Sequence, residues 1–103
     1  MRSEFISEVT DSTGLGIKVR VLGNVRRETL QAIGEAKANA ARGRAHRIWV
    51  WLYARGMDPD GPAMSVTYLE GDGEPVSDFV SPSTILLYYL GDPYTPTGHR
   101  HLT

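Results

Sequence analysis

The hydrophobic pattern of this chain turns on residues 47–55, where Ile48, Val50 and Leu52 alternate with Trp49, Trp51 and Tyr53. Successive side chains of a strand point to opposite faces, so both faces of this strand are apolar. That pattern belongs to a strand covered on both sides. Other stretches show period two less completely. Phe5, Ser7 and Val9 alternate with Ile6 and Glu8, which suits an edge strand. Ile17, Val19 and Val21 alternate with Lys18 and Arg20, which predicts a strand with one buried and one solvated face. Within residues 63–70, Met64, Val66 and Tyr68 alternate with Ser65, Thr67 and Leu69, and residues 76–80 suit a further short strand.

Between these strands the spacing changes. Gly23-Asn24 ends the second strand, and Asn24 is placed to cap a helix over residues 25–42. Leu30, Ile33, Ala36, Lys37 and Ala40 fall near one stripe, with Ala32 and Ala41 at its margins. Gly43 is a natural stop, and Arg42 lies where the helix dipole favours a cation. Gly34 inside the helix costs about 1 kcal/mol relative to Ala, which close packing on a sheet explains. Turn residues gather at 11–16, 56–62 and 71–75. Residues 85–90, Ile-Leu-Leu-Tyr-Tyr-Leu, are apolar throughout, so periodicity does not separate helix from strand there. Ser81-Pro82 before them and Gly91 after them suit a helix, while the Ile and Tyr content suits a buried strand.

These elements predict an α+β fold. It is a two-layer sandwich in β-β-α-β-β order, with one main helix on a mixed four- to five-stranded sheet and an apolar closing segment. The helix is long enough for a crossover between parallel strands. Residues 1–91 are expected to form a single α+β domain and residues 92–103, polar and rich in Pro and Gly, a loose tail. One helix covers one face of a small sheet, so the second apolar face of the central strand needs another cover.

Composition narrows the setting. At 103 residues the chain fits one domain with one modest core. It has no cysteine, which excludes disulfides and thiolate metal sites. There is no apolar signal core at the N-terminus and no run of 18 apolar residues, so a soluble, cytoplasmic protein is expected. The net charge of -1 hides three blocks. Residues 17–55 carry nine Lys and Arg against two Glu, a net of +7; residues 56–103 carry one Arg against seven acids, a net of -6. Residues 1–16, with one Arg against three acids, supply the remaining -2. The basic and acidic blocks are suited to face each other within one chain or between two, or the basic block to meet nucleic acid.

Residues 16–74 resemble a small uncharacterised bacterial α+β domain family of unknown function. The resemblance is carried by Ile17-Lys18-Val19-Arg20-Val21, Trp49-Val50-Trp51-Leu52-Tyr53, Ala54-Arg55-Gly56-Met57 and Ala63-Met64-Ser65-Val66. Ala54-Arg55 stands where that pattern has Leu-Pro or Ala-Pro. The resemblance implies the strand order and brings no functional residue with it.

Three function classes remain. The first is a protein-interaction module, self-associating through an aromatic sheet face, with Trp49, Trp51 and Tyr53 as interface candidates and a homodimer or a partner protein as its occupant. Residues 85–90 folded over these aromatics would make the domain self-contained instead. The second is a nucleic-acid-binding domain using Arg26, Arg27, Arg42, Arg44 and Arg47, or a base-stacking platform flanked by Arg47 and Arg55. The third is a small-ligand binder or enzyme with a pocket beside Trp51 and Tyr53 and a polar cluster at His46, Asp58 or Asp60. No catalytic set, cofactor fingerprint or metal motif supports the third class. His99 and His101 lack a further ligand beside them, and Asp58-Pro59-Asp60-Gly61 reads as turn chemistry. Gly14-x-Gly16 precedes a strand, and Ser81 and Ser83 have no nucleophile-elbow frame. The chain therefore leans away from an enzyme, and no membrane partner is expected.

Overall fold

A computed structural model describes residues 3–23 and 26–79. The chain runs β1 (Ser3–Asp11), β2 (Gly14–Val21), α1 (Arg27–Ala40), β3 (Arg47–Ala54), β4 (Ser65–Glu70) and β5 (Val76–Phe79). The five strands form one sheet in sequence order. β2 and β3 are parallel, joined by the α1 crossover, and all other neighbours are antiparallel. This is the mixed-sheet α+β fold that the alternation predicts. No helix among the described residues is long and apolar enough to cross a membrane.

The helix-side core is built from the alternating positions. Ile48, Val50 and Leu52 lie opposite Leu15, Ile17 and Val19 of β2 and the inward side of β4, and all three are at most 1% exposed. Leu30, Ile33, Ala38 and Ala41 close this layer from above. α1 stands over β3, β4 and β5. Its orientation differs from the alanine stripe read in the sequence: Thr29, Leu30, Ile33, Gly34 and Ala38 are buried, while Ala36, Lys37 and Ala40 are exposed. Gly34 sets this rotation. A Cβ at that position would overlap the Thr67 hydroxyl of β4, so the helix presents its glycine at the point of closest approach. The helix is also shorter than the predicted 25–42. Its N-cap is Arg26, which makes no side-chain cap bond, and Glu28 supplies the acidic residue of the first turn.

β1 departs from simple alternation. A register shift between Phe5 and Ser7 leaves Phe5 on the helix side, paired with Val19, and brings Val9 to the opposite side, paired with Gly16. The β1–β2 turn is closed by the Asp11 carboxylate, which accepts from the Thr13 hydroxyl, the Thr13 amide and the Gly14 amide. These bonds, chiefly that from the Thr13 hydroxyl, hold the Asp11 carboxyl below the usual carboxylate range. Residues 85–90, the tail from 92, and with them Ser81, Ser83, His99 and His101, lie outside the described residues.

Candidate functional site

The face opposite α1 carries one uninterrupted apolar row. Val9, Gly16, Trp49, Tyr68 and Val76 are successive register partners across all five strands, with no charged side chain among them. The row spans four interstrand gaps, about 19 Å. Its ends are the most open part: Val9 is 62% and Val76 60% exposed. The next row holds Ser7, Lys18, Trp51, Val66 and Asp78.

Gly14 and Gly16 shape this surface. A Cβ at Gly16 would overlap the six-membered ring of Trp51, and one at Gly14 would overlap the Arg47 carbonyl oxygen and the ring of Trp49. Both indoles therefore lean over β2 and remain half-buried. Trp49 also meets Tyr68, with ring centroids 5.3 Å apart and planes tilted by 41°. The pair belongs to the tilted aromatic contacts that add roughly 0.5–1.5 kcal/mol beyond area burial.

At one end of this face the β3–β4 loop folds back over the sheet. Tyr53 is 2% exposed beneath it, packed with Met57 and Ala63 and flanked by Ile6. The Lys18 ammonium donates to the Pro59 carbonyl at 2.6 Å. Arg20 donates to the carbonyls of Ala54 and Met57, each at 3.0 Å. Lys18 and Arg20 thus do not line a solvated face, as their alternation suggested; they hold this loop above the sheet. The Asp58–Gly61 turn is closed by the Asp60 amide donating to Asp58 and the Gly61 amide to the Asp58 carbonyl. The three interface candidates are therefore divided: Trp49 and Trp51 remain half-open, and Tyr53 belongs to a small second core.

The other end is polar. Arg47 pairs with Glu70 across the β3–β4 ladder. The Tyr68 hydroxyl donates to Glu70 at 2.8 Å, and His46 Nε2 lies 3.5 Å from the second carboxylate oxygen. The Tyr68 bond is the main cause of a Glu70 carboxyl held below its usual range and a Tyr68 hydroxyl raised above its own. A cleft of about 420 Å³ beside it is lined by Asp11, Thr13, His46 and Arg47. Asp58 and Asp60 follow β3, whereas His46 precedes it, so the structure does not bring these candidates together. Among the described residues, no group of three or more His, Asp or Glu is placed to hold a metal ion.

The five candidate arginines are dispersed. Arg26 and Arg27 lie at the start of α1, and Arg42, Arg44 and Arg47 lie beyond its end, about 20 Å away along a 14-residue helix. Arg27 covers the Phe79 ring at 4.4 Å. Arg42 donates to the carbonyls of Gly71 and Gly73, and Arg44 pairs with Glu8. The opposite-charge blocks thus meet partly within the chain: Lys18 lies 4.0 Å from Asp60 and Arg20 3.9 Å from Glu4. Arg55, the other cation proposed to flank the aromatics, donates to the Leu22 carbonyl.

Compared with family models, curated proteins and solved structures, the chain matches none. The site is accordingly defined by geometry alone. Val9, Val76 and the two β2 glycines do not stand out as site residues in the sequence. Their signal is the i, i+2 spacing of Gly14 and Gly16, which matches the spacing of Trp49 and Trp51 and acquires meaning only once the strand register is known.

Proposed function

We propose that this protein is an interaction module that self-associates through the aromatic face of its sheet. The observation that carries the reading is the charge-free row from Val9 to Val76, exposed at both ends and centred on half-open Trp49 and Tyr68. Water gains from covering such a surface, and Trp and Tyr at the centre of a patch are the residues that carry most interface energy. The row also has similar ends, a valine at each edge with aromatics between, which suits a two-fold contact of one patch with itself.

The scale of the surface sets the strength. A flat footprint of roughly 20 Å by 20 Å on each copy gives about 800 Å² in total, below the range of permanent interfaces. Association through a patch of this size is expected to be concentration-dependent. Light scattering on the full chain across a dilution series tests this, together with Val9→Asp and Val76→Asp, both at open positions. The expected result is a dimer at high concentration that each substitution disperses. A monomer at every concentration removes the reading.

A further inference from the structure

We infer that two copies meet head to tail, with the β3–β4 loop of each chain seated at the Arg47 end of the other. The inference rests on the self-association proposed above and adds its geometry. The loop stands one side-chain layer above the aromatic face, held there by Lys18, Arg20 and Tyr53, and it does so only at the Tyr53 end. Facing sheets pack about 10 Å apart. If the strands of the two copies ran the same way, both loops would fall at one end and prop the sheets apart. With the strands antiparallel, each loop stands where the described residues of the other chain place no such loop.

Charge supports the same arrangement. The loop carries Asp58 and Asp60, and the Asp60 side chain is 93% exposed. The opposite end of the face carries Arg47 and His46, the latter 72% exposed, beside the carboxylate of Glu70 and the cleft that Asp11 also lines. A two-fold axis lying between the sheets and across the strands brings Asp60 of one copy to Arg47 of the other, and does so twice. The same axis lays Trp49 of one copy across Trp51 of the other, indole against indole at the centre of the face. Strands running the same way would instead set Arg47 against its own copy.

The orientation is read out by which edges meet. In the head-to-tail pair β1 lies over β1 and β5 over β5. The natural chain has no cysteine, so Val9→Cys and Val76→Cys each add a unique thiol. A bismaleimide long enough to bridge stacked sheets, about 10 Å apart, is expected to link Val9→Cys chains to one another and Val76→Cys chains to one another. In a mixture of the two, peptide mapping should find no link between positions 9 and 76. In parallel, Asp60→Arg and Arg47→Glu should each weaken dimerisation about tenfold, near 1.4 kcal/mol, and the double variant should return it to within about threefold of the natural chain. A dimer linked between positions 9 and 76, or not linked at all, overturns the head-to-tail geometry and leaves self-association standing. So does a double variant no better than the single ones. A natural chain that is monomeric throughout overturns both.

Discussion

Gly34 shows how one residue fixes the distance between two layers. In an isolated helix Gly34→Ala would add about 1 kcal/mol of stability. Here the new methyl would overlap the Thr67 hydroxyl, which bonds Ser77 at 2.7 Å. Overpacking of this kind costs roughly 1–3 kcal/mol and displaces a hydrogen bond as well, so overlap outweighs propensity. Gly34→Ala is expected to destabilise the fold by about 1–2 kcal/mol on the same principle, measured as a lower urea midpoint with an unchanged slope. Glu70 offers a second test at this scale. Its folded carboxyl is depressed, so its contribution is present above the unfolded value, about 4.3, and is lost as pH falls through the lower folded value. Tyr68 is raised, so its contribution is present below about 10 and is lost as pH rises through the higher folded value. Glu70→Gln should flatten both limbs of the stability profile in a pH titration of thermal unfolding. The change is small, because both side chains are open to water.

Among the elements, the β3–β4 loop is the one whose placement depends on distant residues. Arg20 gives two hydrogen bonds to its carbonyls from a mostly buried position. Arg20→Met keeps the stem and removes the donors. It should destabilise the fold by about 1–3 kcal/mol and open the Asp58–Gly61 turn to proteolysis, seen as faster cleavage there than elsewhere. The same loop marks the limit of what the sequence discloses. Its turn chemistry is local and legible, as are the strands, because alternation and Gly-Pro-Asp punctuation act over a few residues. Its docking is not legible, since Lys18 and Arg20 look like an ordinary solvated edge until the register sets them beside Tyr53. Gly14 and Gly16 look like turn residues for the same reason; they are strand residues whose role is set by β3, more than 30 positions later, where Arg47, Trp49 and Trp51 crowd them. The helix stripe misled because alanine counts as apolar in a periodicity, whereas the packing was decided by the absent side chain of Gly34.

For the whole molecule, the central expectation is that stability depends on concentration. Anything that binds the folded state alone raises its melting temperature by mass action. Thermal unfolding of the full chain should therefore move upward as protein concentration rises, and Val76→Asp should abolish the movement while leaving the dilute value in place. That association should use a face and not an edge follows from the shift in β1. Glu4 and Glu8 are four residues apart and would share one side of a regular strand. Instead Glu4 reaches Arg20 on one side of the sheet and Glu8 reaches Arg44 on the other. The outermost ribbon is thus pinned from above and below, and its kink spoils the straight run of amides that a stranger's backbone would need for docking. Pairing of a second sheet's backbone along that margin is thereby disfavoured.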